Sequence, residues 1–129
     1  MSDILVDSSV WIDYFNGTNS RANLLSDLID NNIVCTNNII LAELIPSIKK
    51  AGESELADLF LSIKNIPINI DWDEIIKMQT INLKNGFNKI GIPDLIIMQN
   101  AIQNELSLFS FDKHFKSMPT FHKCKIFDK

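Results

Sequence analysis

The sequence predicts an α/β protein built on a largely parallel sheet, and three observations predict it. Short apolar runs such as Ile4-Leu5-Val6 and Ile33-Val34-Cys35 alternate with longer stretches of helical periodicity. Helical stretches lie between the runs, so the strands need crossover connections, which is how parallel strands are joined. Two runs end alike, on an aspartate: Ile4-Leu5-Val6 stops at Asp7, and Leu108-Phe109-Ser110-Phe111 stops at Asp112. In parallel sheets ligands gather outside the carboxyl ends of the strands. Asp7 and Asp112 are therefore expected on one edge of the sheet.

Taken in order, Ile4-Leu5-Val6 reads as a buried strand. Val10-Trp11-Ile12 and Tyr14-Phe15 give a helical face that Asn16-Gly17 closes. Ser20 can cap the next helix, whose stripe is Leu24, Leu25, Leu28 and Ile29. After the strand Ile33-Val34-Cys35, the segment Thr36-Asn37-Asn38 caps a helix carrying Ile39 to Ile45, which Pro46 is expected to bend or shorten. Leu56, Leu59, Phe60 and Ile63 mark a further amphipathic helix. Ile66, Ile68 and Ile70 alternate as an edge strand would around Pro67. Asp71 and Glu74 have the spacing of a capping box and open a helix that ends near Asn85-Gly86. Pro93 suits the first turn of a helix from Asp94 to Glu105. Leu108 to Phe111 and Ile126-Phe127 read as the last strands.

At 129 residues, 46% of them hydrophobic and 22% charged, the chain fits one folded domain spanning residues 1–129. No apolar run reaches the roughly 20 residues of a membrane helix, and the opening MSDILVDSSV lacks the basic start of a signal peptide. A cytoplasmic protein is expected, with no membrane partner. Cys35 and Cys124 stand apart in apolar surroundings and read as buried thiols. The net charge is −4, which disfavours a nucleic-acid binder that relies on a basic surface. Yet the chain has 16 acidic and 12 basic side chains, so setting aside four acids leaves 12 against 12. The basic residues also cluster: Lys113, Lys116, Lys123, Lys125 and Lys129 follow Asp112, with Asp128 opposing them.

Four acids interrupt apolar runs. Asp7 ends the first strand and can equally cap the helix that follows. Glu43 lies inside Ile39-Ile40-Leu41-Ala42-Glu43-Leu44-Ile45, where a carboxylate cannot easily reach water; burying it unpaired costs several kcal/mol or raises its pKa unless a cation binds. Asp94 stands between Ile92-Pro93 and Leu95-Ile96-Ile97-Met98, and also suits the start of a helix dipole. Asp112 closes the Leu108 to Phe111 run and can serve as a turn or cap residue. Together the four would repel one another and favour Mg2+ or Mn2+, hard cations that prefer oxygen ligands. Such an ion can lower the pKa of a bound water and neutralise charge on a phosphodiester. The remaining acids fit caps and polar helix faces. His114 and His122 have no zinc spacing with the cysteines and read as surface residues, with His114, Lys113 and Lys116 candidates for substrate contact.

The segments ILVDSSVWIDYF, NNIILAELI, IGIPDLIIMQNA and LFSFDKHF, in this order, resemble the PIN domain, and more narrowly the toxin ribonucleases of the VapC group. The resemblance covers the whole chain. It implies a three-layer α/β/α sandwich with a central, mainly parallel sheet, and Mg2+- or Mn2+-dependent endonucleolytic cleavage of RNA, with transfer and ribosomal RNA among the group's targets. It implies that Asp7, Glu43, Asp94 and Asp112 are the catalytic, metal-holding acids, and that Ser9 and Ser110 are the accompanying hydroxyl residues, placed here on the substrate side. A homodimer and a cognate antitoxin whose tail blocks the site are also implied. The chain departs from the pattern at His114, where members often carry a further acid, and in having a single arginine, Arg21. Two other readings compete. One is a catalytically silent PIN-like module that binds protein or RNA. The other is a phosphotransfer enzyme with Asp7 as nucleophile, disfavoured because Asp7-Ser8-Ser9 lacks a second aspartate two positions on.

Overall fold

Five strands join into one parallel sheet in the computed structural model, which describes residues 3–16, 22–118 and 122–127. They are β1 (Ile4–Val6), β2 (Val34–Thr36), β3 (Lys64–Asn65), β4 (Ser107–Phe109) and β5 (Lys125–Ile126). Among the described residues seven helices connect them: α1 (Ser8–Asn16), α2 (Ala22–Asp30), α3 (Asn38–Lys50), α4 (Ser54–Leu61), α5 (Trp72–Lys84), α6 (Ile92–Gln103) and α7 (Lys113–Ser117). The architecture is the expected α/β/α sandwich. Ser20, Gly17, Arg21, Asp128 and Lys129 lie outside the described residues, as does the side chain of Leu24.

The strand order is β3-β2-β1-β4-β5. The chain steps outward from β1 through β2 to β3, then returns to the other side of β1 and steps outward again. The reversal falls between β1 and β4, the kind of switch point where parallel sheets open a crevice. Leu5 pairs with Leu108 and Val6 with Phe109. The Asp7 amide continues the ladder by donating to the Phe109 carbonyl at 2.9 Å. The pairing therefore delivers Asp7 and Ser110 to the same place.

The core is made by the strands and by α6, in which seven successive residues from Leu95 to Ala101 are buried. A stretch buried on every side needs partners for its polar residues, and this one has two, Gln99 and Asn100. Gln99 exchanges bonds with the Asp71 backbone, its Nε2 donating to the carbonyl at 3.0 Å and its Oε1 accepting from the amide at 3.1 Å. Asn100 Nδ2 donates to the Pro67 carbonyl at 3.0 Å, while its Oδ1 accepts from Asn37 Nδ2 at 2.9 Å. On another face, Trp11 of α1 meets Phe60 of α4 edge-on, with centroids 4.7 Å apart.

These contacts explain where the elements differ from expectation. The edge strand is Lys64–Asn65, not the Ile66 to Ile70 run. Ile66 adds one rung, its amide donating to the Thr36 carbonyl at 2.8 Å, and then α6 side chains take over the backbone. The alternation of Ile66, Ile68 and Ile70 is real as a burial pattern without a ladder. Asn37 caps α3 as expected, its side chain accepting from the Ile40 amide. That helix runs through Pro46 to Lys50 rather than stopping there. Asp71 caps α5 by accepting from the Glu74 amide, but its own amide goes to Gln99, so the reciprocal half of the capping box is not used. In α4 the buried residues are Ala57 and Phe60, with Leu59 left exposed. Ser110 and Phe111 lie just beyond the end of β4.

Replacing Asn100 by leucine strands the Asn37 amide donor and the Pro67 carbonyl. The Asn100→Leu variant is expected to lose about 3 kcal/mol of stability, at roughly 1–3 kcal/mol per unpaired buried group. Urea unfolding measures it, and a loss below about 0.5 kcal/mol would show that these bonds do not hold the segment.

Candidate active site

Asp7 follows β1 directly and is 5% exposed. Its carbonyl starts α1, accepting from the Val10 amide at 3.1 Å. Its side chain is held by two hydroxyls: Ser9 Oγ and Ser110 Oγ each donate to Asp7 Oδ2 at 2.9 Å. The two hydroxyls also accept. The Phe111 amide donates to Ser9 Oγ at 3.1 Å, and the Asp112 amide donates to Ser110 Oγ at 3.0 Å. Each serine thus ties the buried carboxylate to the backbone that carries Asp112. Both were expected on the substrate side; the structure turns their protons to Asp7.

Asp112 caps α7, its Oδ1 accepting from the His114 amide at 2.9 Å. The His114 ring lies beside it, with Nδ1 at 3.3 Å from the same oxygen. Cap and site residue are compatible roles here, because the second oxygen stays free of hydrogen bonds among the described residues. Asp94 sits in the first turn of α6, half-buried. Its carboxyl is pushed above the usual aspartate value, first by burial, then by the charges of Asp112 and Asp7, with His114 partly opposing.

Glu43 departs from expectation. It is exposed, because the buried stripe of α3 runs through Ile40, Leu41, Leu44 and Ile48 and leaves Glu43 at its margin. Its carboxyl is nonetheless raised, first by partial withdrawal from water, then by Asp7 and Asp94. Ser8 Oγ, 3.4 Å from Glu43 Oε1, pulls the other way. Ser8 was not singled out from the sequence, where nothing but its place beside Asp7 marks it.

The four acids are thus brought into one electrostatic neighbourhood by β1, α3, α6 and the start of α7. Among the described residues the ion pairs are Lys64 with Asp3 and His114 with Asp112. Asp7, Glu43 and Asp94 have no cationic partner there. Among the same residues no three His, Cys, Asp or Glu side chains converge tightly enough to enclose a metal ion unaided. The donor set still fits Mg2+ or Mn2+: it is all hard oxygen and carries uncompensated charge. Mg2+ in particular keeps several waters and takes one or two carboxylates, so an open arrangement suits it.

The other candidates sort simply. Lys113 and Lys116 are exposed on α7 and His114 is half-exposed. Cys35 and Cys124 are buried free thiols, with burial raising them to about 12 and about 11. His122 is half-buried rather than fully at the surface. Its Nε2 lies 2.9 Å from Oδ1 of the fully buried Asn82, and burial lowers its pKa. A groove of about 260 Å³ lined by Ile12, Phe15, Leu44, Ile48 and Leu56 runs up to Glu43.

The PIN domain family model matches residues 4–120. Comparison with curated proteins gives no match. Among solved structures the chain is similar to VapBC2 from Rickettsia felis bound to a DNA fragment from their promoter, at 24% identity over 96% of this chain and 96% of that chain, with a TM-score of 0.75. It is similar to DNA-bound VapBC from Salmonella typhimurium, at 16% identity over 99% and 98% of the two chains, with a TM-score of 0.77. It is also similar to VapC20 from Mycobacterium tuberculosis, described as a sarcin-ricin loop cleaving toxin, at 15% identity over 89% of this chain and 94% of that chain, with a TM-score of 0.59.

The raised carboxyls set a pH dependence. A carboxyl whose pKa is higher in the folded than in the unfolded state disfavours folding once it is charged. Stability from Glu43 and Asp94 therefore falls as the pH rises from the ordinary carboxylate range through their folded values. In EDTA at neutral pH the double variant Glu43→Gln, Asp94→Asn should melt above the parent, and the gap should close as the pH is lowered through that range. Melting curves at several pH values measure this, and identical curves at neutral pH would count against the repulsion.

Proposed function

The chain belongs to the PIN domain family, and from that premise we propose that it is a Mg2+- or Mn2+-dependent endoribonuclease, the toxin of a toxin–antitoxin pair acting in the cytoplasm. The observation that carries the reading is the gathering of Asp7, Glu43, Asp94 and Asp112 at the β1/β4 switch point, where Asp7, Glu43 and Asp94 have no ion-pair partner among the described residues. A divalent ion bound there would neutralise charge on the scissile phosphate and acidify a water. Asp7 is the fixed member of the set, because both serine hydroxyls hold one of its oxygens. Glu43, Asp94 and Asp112 approach it from three separate elements and are more exposed, so they can adjust to the ion. Lys113 and Lys116, exposed on α7 next to Asp112, meet the RNA phosphates that flank the cut.

Structured RNA, transfer or ribosomal, is the substrate class this reading takes from the family resemblance and from the similarity to a toxin described as cleaving the sarcin-ricin loop. An antitoxin partner is supported by the likeness to VapBC complexes. The apolar groove ending at Glu43 would receive its tail. A homodimer would cover the stripe of Trp72, Ile76 and Leu83, which α5 leaves exposed. The silent binding module stays a second reading because no three ligating side chains converge unaided. Calorimetry of the folded protein with Mn2+ separates the two, since that module would show no binding heat.

Cleavage of an end-labelled structured RNA should require Mn2+ or Mg2+ and stop on adding EDTA. Outer-shell changes at metal sites typically cost about 10–100-fold, so Ser110→Ala should fall in that range and Asp7→Asn should lose about 100-fold or more. Full activity of the Asp7→Asn protein would remove the proposed mechanism.

A further inference from the structure

The buried stripe of α5 is Ile75, Met78 and Asn82, so an amide stands where an apolar side chain would pack. Asn82 is fully buried, and its polar atoms need partners. Those partners lead to other segments, and each orients the next. The Ile90 carbonyl can only accept, so Gln79 presents Nε2 to it, at 2.7 Å. Gln79 Oε1 then accepts from Asn82 Nδ2 at 3.2 Å. The same Nδ2 faces Met118 Sδ, also at 3.2 Å. Asn82 Oδ1 is left for the His122 ring, 2.9 Å away, so His122 carries a proton on Nε2.

This relay ends beside two of the site acids' own elements. Ile90 directly precedes Gly91, the residue that caps α6, and Asp94 stands in the first turn of that helix. Met118 closes α7, its amide donating to the His114 carbonyl at 3.0 Å, and Asp112 caps the other end. We propose that Asn82 is a positioning residue: through Gln79 and Met118 its amide sets the spacing between the segments that deliver Asp94 and Asp112. It acts through those segments and not on the substrate. The proposal rests on the reading of the acids as a nuclease site. An apolar residue in its place would fill the space but leave the direction of Gln79 and the seat of Ile90 unspecified. Placement matters at this scale, because a shift of about 1 Å made far from the chemistry can cost about 100-fold in rate.

The test measures cleavage of an end-labelled structured RNA with Mn2+ by the full chain. Asn82→Asp keeps the size and the acceptor facing His122, but Gln79 must turn its amide to the new carboxylate and release Ile90. Its kcat is expected to fall about 10–100-fold while KM moves by less than about threefold. Gln79→Met breaks the link to Ile90 and leaves Met118 and His122 on Asn82; its kcat should fall about tenfold. Ile75→Ala opens a cavity in the same helix without touching a polar bond, and serves as the control for lost stability. At temperatures where circular dichroism shows all variants folded, its kcat should stay within about threefold of the parent. Ring-nitrogen NMR of the parent should show neutral His122 protonated on Nε2. A loss of kcat in Ile75→Ala equal to that in Asn82→Asp, an unchanged kcat in Gln79→Met, or a His122 ring protonated on Nδ1 alone would overturn the assignment while leaving the nuclease reading intact. A parent protein that cuts no RNA with Mn2+ would overturn both.

Discussion

The parallel pairing of β1 with β4 is the constraint on which the site depends. It brings together residues 103 positions apart, so that Ser110 Oγ can donate to Asp7. Without that register the Asp7 carboxylate would be a buried charge with a single local hydroxyl partner, a state that costs several kcal/mol. With it, two hydroxyls share the charge of one oxygen, and the amides of Phe111 and Asp112 complete the hydrogen bonding of the serines. The same bonds fix where the β4–α7 connection begins. The position of Asp112 is therefore a consequence of how Asp7 is satisfied.

Much of this was legible in the residues because a strand that ends on an aspartate announces both its direction and its edge. Ile4-Leu5-Val6 before Asp7 and Leu108-Phe109-Ser110-Phe111 before Asp112 read as two strands with a common end, although the second strand stops two residues sooner, at Phe109. What could not be read was any property set by a neighbour distant in sequence. The alternation of Ile66, Ile68 and Ile70 looks like a strand, yet Asn100 and Gln99 claim the backbone at Pro67 and Asp71. Pro46 looks like a stop, yet α3 has Ile48 buried beyond it, and that burial carries the helix on. His122 looked like a surface residue because nothing local shows that Asn82 waits for it in the core. Glu43 erred in the other direction. An apolar run of seven residues has a polar margin once it is wound into a helix, and Glu43 lies there rather than inside.

The charge distribution shows how a chain with a net charge of −4 can present an acidic site without falling apart. The one described lysine–carboxylate pair, Lys64 with Asp3, lies away from the cluster, beside the start of β1. Lys113 and Lys116 stand next to the cluster but point their charges into solvent, unpaired with its acids. The repulsion is left in place where an ion could relieve it, and the rest of the fold has to carry the cost. Local strain of this kind persists at functional sites when the surroundings over-determine the geometry.

Asp94 is pulled in two directions. It stands in the first turn of α6, where the helix dipole favours a carboxylate by about 0.3–1 kcal/mol. On that ground alone its pKa should fall. It rises instead, with burial first and the charges of Asp112 and Asp7 after it. A cap or dipole role would place Asp94 with its charge welcomed; here its charge is opposed, by burial first and then by other members of the cluster. An acid chosen for helix stability would sit where its neighbours are neutral or basic. The position of Asp94 makes sense for a carboxylate whose partner is a cation brought from outside the chain.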